Sequence, residues 1–292
     1  MRERDLPDSD VFDPAEAGLD LDAELEAELG DASDAGDPAD DPVGDRPSGR
    51  HRPVPVLAQG DGWLVVAKPP LVIVHRNARM RHVSAVLQRV RDQVGGRVYL
   101  AHRLDRGTSG CLLLATRREL AGPLSLAIAG GTARKTYLAF VRGYFAEEGP
   151  VEVDSPINYY ELGTKEASST VERLGASHEP RCSLLRVRPH TGRHHQVRRH
   201  VRDLDHPIIG DSDHGDSRIN REWRGRGSRR LGLHCIRLEL TLPDGSALDV
   251  RCPLFEDQQA LFQSLPFWEE ARQREPDLDL PALSWDWVGP VE

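Results

Sequence analysis

One short stretch of the chain joins two features that rarely occur together, a buried strand pair and a charged turn. The segment AHRLDRGTSG (101–110) is polar, and its two glycines are typical of a tight turn. The flanking runs RVYL (97–100) and CLLLA (111–115) have the aliphatic composition of buried strands. The chain is therefore predicted to fold with a tight charged loop between two strands of a sheet.

The loop carries one carboxylate, Asp105, between the guanidiniums of Arg103 and Arg106. A carboxylate next to permanent positive charge stays ionised at neutral pH. Asp105 could then act as a nucleophile or a base toward a substrate that the arginines hold. The alternative is a solvated ion-pair loop, because most exposed pairs of this kind contribute little.

Charge is distributed unevenly along the chain. Residues 1–50 hold 17 acidic and four basic side chains, residues 51–268 hold 23 acidic and 32 basic, and residues 269–292 hold seven acidic and two basic. We expect an acidic disordered tail at 1–52, one catalytic domain at 53–268 and an acidic C-terminal tail at 269–292. The basic body favours a polyanionic partner.

The four cysteines are far apart and three lie in apolar runs, which predicts buried free thiols in a reducing compartment. No apolar run is long enough for a transmembrane helix, and the acidic N-terminus has no signal-peptide core. We therefore expect a cytoplasmic protein with no membrane association.

Hydrophobic periodicity divides residues 54–265 into strands and helices. The predicted strands, besides the two around Asp105, are 54–57, 63–67, 135–141, 183–187, 233–242 and 247–252. The predicted helices are 83–94, 120–128, 193–201 and 256–265. Because strands outnumber helices, we expect an α+β fold with a large mixed, mostly antiparallel sheet flanked by helices and loops.

Three further clusters carry possible chemistry. In PHTGRHHQVRRH (189–200), Thr191-Gly192 is predicted to open a helix whose free N–H groups suit an anion. A metal site there is disfavoured, because the neighbouring arginines would repel a cation. The segment 206–216 lacks the ligands of a calcium loop and is predicted to be a turn. Residues 218–230, with six arginines and one tryptophan, are predicted to form a mobile loop that contacts nucleic acid; the alternative is a solvated charged loop.

These clusters together resemble one family, the pseudouridine synthases of the ribosomal large-subunit synthase A type. HRLDRGTSG resembles that family's H-R-L-D-x-x-T-S-G motif. Further matches follow in the family's order over about residues 54–265: Lys68-Pro69 with Val74-His75, Lys135-x-Tyr137 with Gly143, Thr191-Gly-Arg193-x-His195-Gln-Val-Arg198-x-His200, Gly210-Asp211 and Leu233-His234. The string 206–221 is most similar to members that modify uridine 65 of tRNA. Two positions depart from the family, Pro70 after Lys-Pro and His214 where many members have tyrosine.

The resemblance implies a pseudouridine synthase fold and three catalytic residues, Asp105, Tyr137 and Arg198. Tyr137 would stack on the uracil and help remove the C5 proton, and Arg198 would pair with Asp105, with Arg193 as the second choice. Arg103 would fill the space that the uridine leaves. The expected substrate-binding residues are Arg103, Arg193, His102, Thr108, Lys135, Arg218 and Arg221.

We therefore expect an RNA pseudouridine synthase, an isomerase that works as a monomer and needs neither a cofactor nor a metal. Its partner is RNA, with tRNA favoured and ribosomal RNA possible. One alternative is a catalytically silent RNA-binding protein of the same fold. A glycoside hydrolase is another, but it would normally need two carboxylates, and only Asp105 stands out.

Overall fold

A computed structural model describes residues 53–75, 84–130, 132–159 and 163–285 of the chain. The predicted tail at 1–52 lies outside these residues. Most of the strands join one ten-stranded sheet. The strands of this sheet are β1 (Val56–Gly60), β2 (Trp63–Lys68), β3 (Tyr99–Leu100), β4 (Ser109–Ala115), β5 (Arg134–Arg142), β6 (Val151–Val153), β9 (Ser169–His178), β10 (Arg181–Pro189), β11 (Leu233–Thr241) and β12 (Ala247–Arg251). Strands β7 (Ile157–Asn158) and β8 (Thr164–Lys165) form a separate small hairpin.

The main path of the large sheet runs β1-β2-β4-β11-β5-β10-β9-β6, with β3 beside β4 and β12 beside β11. Strands β4 and β11 pair in parallel, whereas the other pairs described in this sheet are antiparallel. The predicted α+β fold with a mixed, mostly antiparallel sheet is therefore confirmed.

In the part of the chain that the structure describes, six helices flank the sheet. They are α1 (Val86–Val94), α2 (Arg118–Ala129), α3 (Gln196–Asp203), α4 (Ser217–Gly225), α5 (Glu256–Gln263) and α6 (Trp268–Arg274), and a 3₁₀ turn follows at Pro276–Asp279. Among the described residues no helix is long and apolar enough to span a membrane.

Strand β5 shows why both faces of the sheet are covered. Tyr137, Ala139 and Val141 belong to one buried cluster, and the alternate residues Leu138 and Phe140 belong to another on the opposite face. A strand buried on both faces reads as a continuous apolar run, as this one does. All four cysteines are buried and free, as predicted.

The close parallel pairing of β4 and β11 requires a glycine beside the charged loop. Gly110 has φ 117° and pairs with Cys235. A Cβ at this position would lie 2.2 Å from the carbonyl oxygen of Cys235. Only glycine allows the two backbones to approach this closely, and the approach brings the end of the Asp105 loop against β11.

The prediction of a C-terminal tail from residue 269 is wrong over 269–285. Helix α6 packs on β9, and Ala271 and Leu278 are fully buried. Leu283 exchanges backbone hydrogen bonds with the chain at Leu254 and Glu256. The acidic composition concealed this packing, because Glu275 is buried in an ion pair with Arg186 and is not solvated. Trp285 also packs partly on the main core.

Candidate active site

A buried lysine holds the backbone of the loop that carries Asp105. The Asp105 carbonyl accepts a hydrogen bond from the Thr108 N–H, which closes a turn at 105–108. Lys68, fully buried at the end of β2, donates through Nζ to the carbonyls of Arg106 and Thr108. A buried ammonium needs such partners, so Lys68 holds both sides of the turn.

His102 anchors the start of the same loop. Its Nε2 accepts a hydrogen bond from the backbone N–H of Leu113 in β4, at 3.0 Å. Burial, aided by the charge of Lys135, lowers the pKa of His102 to about 3, so the imidazole is neutral and can accept at neutral pH. The structure thus ties His102 to the sheet. Thr108, predicted with it as a substrate-binding residue, is also buried.

Asp105 faces α3 across the site. Its Oδ2 lies 3.5 Å from Nη1 of Arg198 and 4.0 Å from Nε2 of His195. Burial by itself would raise the pKa of Asp105, but the positive groups around it lower the pKa to about 2. Among those groups, His195 is itself held neutral by burial, with a pKa of about 3, so the permanent charge next to Asp105 at neutral pH is that of Arg198. The carboxylate is therefore ionised.

Arg198 is fixed in place by two more carboxylates. It donates through Nε and Nη2 to the two oxygens of Asp211, at 2.8 and 2.7 Å, and it also pairs with Asp213. These bonds keep the pKa of Arg198 above its usual value despite burial. A bidentate pair sets the plane of the guanidinium. Asp211 therefore aims the remaining nitrogen, Nη1, at Asp105.

Helix α3 begins later than predicted. It starts at Gln196 and not at residue 193, because the Gln196 side chain accepts hydrogen bonds from the Arg193 N–H and the Thr191 hydroxyl and closes a separate turn before the helix. The N–H groups after Thr191 are therefore partly used by the protein. Arg193 donates through Nε to the carbonyl of Glu166, whereas Arg198 meets Asp105, so the first choice of partner holds.

Strand β5 supplies Tyr137 and Lys135 to the same region. Tyr137 is buried, and burial together with the nearby thiol of Cys235 and the charge of Asp105 raises its pKa well above 10. The phenol therefore keeps its proton at neutral pH. Burial lowers the pKa of Lys135. The two side chains lie on one face of β5, as the period of two predicts.

The arginine-rich segment 218–230 is not the mobile loop that its composition predicts. Asp216 caps α4 by accepting from the N–H groups of Arg218 and Ile219. Trp223 packs edge-on against Phe140, with ring centroids 5.0 Å apart. An amphipathic helix thus replaces the loop, and it leaves Arg218 and Arg221 exposed on its outer side.

Arg230 also differs from the prediction. Its side chain is buried and binds Asp257, Gln258 and the hydroxyl of Ser109. It therefore supports the end of the Asp105 loop from inside the protein and is not an exposed RNA contact. Arg103, by contrast, is exposed on the loop and adds positive charge near Asp105.

The comparisons with known proteins can be set beside this geometry. A family model described as RNA pseudouridylate synthase matches residues 62–203. The tRNA pseudouridine synthase C of Pasteurella multocida (strain Pm70) is 39% identical, over 64% of this chain and 86% of that protein. The enzyme of the same name from Yersinia pestis is 40% identical, over 70% and 88%. The chain belongs to the RNA pseudouridylate synthase family.

The fold agrees with this assignment. The solved structure of human RNA Pseudouridylate Synthase Domain Containing 1 superposes with a TM-score of 0.60 at 23% identity, over 74% of this chain and 90% of that one. Human RNA Pseudouridylate Synthase Domain Containing 4 gives 0.54 at 20% identity, over 75% and 92%. The chain is thus an isomerase, an RNA pseudouridine synthase, and RNA is its partner.

Lys68, His195 and Asp211 stand in the sequence motifs, but sequence reasoning gave none of the three a role in this pseudouridine synthase site. A lysine that directly ends the apolar run of β2 was a usable signal for Lys68, since charge at such a place needs buried partners. Asp211 and His195 stood in quoted motifs, but only their contacts with Arg198 and Asp105 reveal what they do.

Proposed function

We propose that this chain isomerises uridine to pseudouridine in tRNA, at uridine 65. The observation that carries the reaction is the ionised Asp105, held against Arg198 next to the neutral phenol of Tyr137. The choice of tRNA is supported by the relatives named tRNA pseudouridine synthase C, of which this chain covers most of the length. The position 65 is inferred from the similarity of residues 206–221 to members with that specificity.

The chemistry needs only groups that the site supplies. The N1–C1′ bond of uridine breaks, the base turns, C5 bonds to C1′, the C5 proton is lost and N1 gains a proton. The Asp105 carboxylate could attack C1′ or take the 2′ proton. Neither route requires a metal or a cofactor.

Four other residues are assigned to the bound uridine in this proposal. Tyr137 stacks on the uracil as a neutral phenol. Because its pKa is raised, Tyr137 does not remove the C5 proton alone, and the Asp105 carboxylate assists. A uridine inside a stem must first leave its stack. In this proposal Arg103, which is exposed, fills the space. Lys135 and Arg193 border the site from β5 and from the turn before α3.

The partner is RNA gripped mainly through its backbone. The basic body of the chain and the exposed Arg218 and Arg221 of α4 suit phosphates and 2′ hydroxyls. Since one chain supplies every residue of the site described above, we propose that the enzyme works as a monomer, in the cytoplasm.

The test offers purified protein three RNAs labelled with tritium at C5 of uridine. They are a tRNA transcript, the same transcript with cytidine at position 65, and ribosomal RNA fragments. We expect tritium release from the first RNA alone, and none with Asp105→Asn, which keeps the size of the side chain but loses its charge. Release from the ribosomal fragments alone would leave the reaction in place and overturn the substrate. RNA binding without release from any of the three would favour the silent RNA-binding protein.

A further inference from the structure

The contacts around Asp105 form a closed ring that returns to it from a second side. On one side Arg198 reaches Oδ2 of Asp105 and is itself held by Asp211. Oδ1 of Asp211 also accepts the backbone N–H of His214, at 2.9 Å. His214 Nε2 then lies 3.0 Å from Nδ1 of His195. His195 Nε2 completes the ring at Oδ2 of Asp105, 4.0 Å away.

The backbone at His195 is strained in a way that serves this placement. His195 has φ 53° and ψ 22°, the left-handed conformation, immediately before the first residue of α3. Residues with a Cβ adopt this conformation rarely. The conformation turns the imidazole into the protein, where its side chain is only 3% exposed and stacks on His194 with ring centroids 3.7 Å apart.

One ring nitrogen of His195 is left over by the fold. Nδ1 is bonded to His214, but Nε2 is buried and has no hydrogen-bond partner among the described residues. A buried polar atom without a partner is costly, and such atoms are concentrated where a function uses them. The Asp105 carboxylate lies 4.0 Å from Nε2, which is longer than a hydrogen bond. Contacts of this length in catalytic sites commonly shorten in the complex with substrate.

The tautomer follows from what faces each nitrogen. A carboxylate only accepts, so the nitrogen that faces Asp105 is best protonated. Nδ1 then accepts from the Nε2–H of His214, which makes His214 the residue that orients the ring. The charged and titratable groups facing His195 and Asp105 are Arg103 of the loop, Tyr137 of β5, His194, Arg198 and His214. With Arg198 and Arg103 already present, a third full positive charge is unfavourable, and the neutral imidazole adds an N–H without adding a charge.

We propose that His195, oriented by His214, is a positioning residue for Asp105, which directs a neutral Nε2–H at Oδ2, the oxygen that Arg198 also contacts. Arg198 supplies the charge that keeps Asp105 ionised, and His195 supplies direction. The inference rests on the proposed function only where activity is the readout.

A matched pair of variants separates the two nitrogens. The amide nitrogen of glutamine can reach the place of Nε2, whereas that of asparagine reaches only the place of Nδ1. We expect His195→Gln to keep kcat for pseudouridine formation within about threefold of the parent. We expect His195→Asn to lower kcat by about 10- to 100-fold with little change in KM, since a lost positioning contact acts in the transition state. The control is His178→Asn, at an exposed histidine away from the site.

Backbone strain makes this comparison stringent. Asparagine tolerates the left-handed conformation better than glutamine, so a purely structural role predicts that His195→Asn is the more stable and the more active variant. Melting temperatures of both variants report on folding directly. If the two variants lose the same activity, or if neither loses any, the positioning role is overturned.

A second measurement does not depend on activity. In protein labelled with ¹⁵N-histidine, the NMR signals that disappear in His195→Asn belong to His195, and we expect them to show the neutral tautomer protonated at Nε2. Asp105→Asn should shift the Nε2 signal more than the Nδ1 signal. A ring protonated at Nδ1 would overturn the inference even if the enzyme is active. An enzyme inactive on every RNA, with the expected tautomer, would instead count against the proposed function alone.

Discussion

At the scale of single residues, the site is built around one guanidinium that forms ion pairs with three carboxylates. Arg198 pairs with Asp211 on two nitrogens, with Asp213, and with Asp105. Asp211 is 1% exposed, so the Arg198–Asp211 pair is buried on both sides. Removing one partner of such a pair leaves an uncompensated charge, which costs far more than the pair itself contributes.

Asp211→Asn should therefore lower both stability and activity. The asparagine keeps an oxygen for the N–H groups of residues 213 and 214 but loses its charge toward Arg198. We expect the free energy of unfolding in urea to fall by about 3 kcal/mol, and kcat to fall by about 10-fold or more. The control is Asp249→Asn in the half-exposed pair with Arg237, where a loss of about 1 kcal/mol or less is expected. Equal losses at the two positions would show that the Arg198 pair is not special.

His102 makes the stability of the protein depend on pH. Its pKa falls from 6.5 to about 3 on folding. Below pH 6.5, His102 binds a proton in the unfolded chain but not in the folded chain. The contribution of neutral His102 to the free energy of unfolding is therefore complete above pH 6.5 and is lost as the pH falls toward 3. The expected slope is about 1.4 kcal/mol per pH unit.

Urea unfolding at pH 7 and pH 5 measures this effect. His102→Gln keeps an acceptor for the Leu113 N–H and should reduce the difference between the two pH values by about 2 kcal/mol. A His102→Gln protein with the full pH dependence of the parent would contradict the assignment.

At the scale of elements, the proposed function assigns catalysis to α3 and RNA binding to α4. Helix α3 carries Arg198 on its buried side, and α4 carries arginines on its exposed side. The two are joined by the segment around Asp211, which Asn220 of α4 holds by accepting from the Gly210 N–H and donating to the Asp211 carbonyl. Substitutions on the outer side of α4 should thus affect RNA binding more than chemistry.

We expect the triple variant Arg218→Ala, Arg221→Ala and Arg224→Ala to raise KM for tRNA and to leave kcat at saturating RNA nearly unchanged. Fewer counterions would be released, so the slope of log Kd against log salt should become shallower by up to about 2. The control changes Arg91, Arg118 and Arg272 to Ala, which removes the same charge from three other helices. The same change of slope in both triples would mean that charge alone matters and that α4 is not a specific contact.

At the scale of the whole molecule, the C-terminal segment completes the body. Glu275 pairs with the buried Arg186, and Leu278 is 1% exposed. Ala271 and Leu278 thus belong to the cluster on the face of the sheet opposite Tyr137, where Leu138 and Phe140 lie. Leu283 and Trp285 pack instead against the cluster that contains Tyr137.

Deleting residues 269–292 should strongly destabilise the protein. The loss of the Arg186 partner and of buried apolar surface amounts to about 5 kcal/mol or more. A change of that size lowers the melting temperature by about 10–20 °C in a body of this length. Deleting only residues 286–292 is the matched control and should have little effect. If deleting residues 269–292 leaves the melting temperature unchanged, this segment does not stabilise the fold, as expected of the predicted tail.

Local sequence pattern determined much of this protein. The strand, charged loop and strand around Asp105, the alternation of β5 and the buried cysteines are all readable locally, because burial and the period of two act over neighbouring residues. The ordered motifs identified the family and hence the reaction. The first choice of Arg198 as partner of Asp105 came from that resemblance, while the residues alone left Arg193 open.

Tertiary structure decided the rest. Which partner an arginine finds depends on strands and helices that are distant in the chain. Arg198 contacts Asp105, Arg193 donates to the carbonyl of Glu166, and Arg230 is buried against Ser109. The acidic segment after residue 269 packs on the sheet because Glu275 pairs with the buried Arg186 and an apolar face of the sheet lies beside it. Composition alone does not show this. The charge and hydrophobicity of a segment determine whether it can be solvated or buried. Which contacts it makes depends on the surfaces that the folded sheet exposes to it.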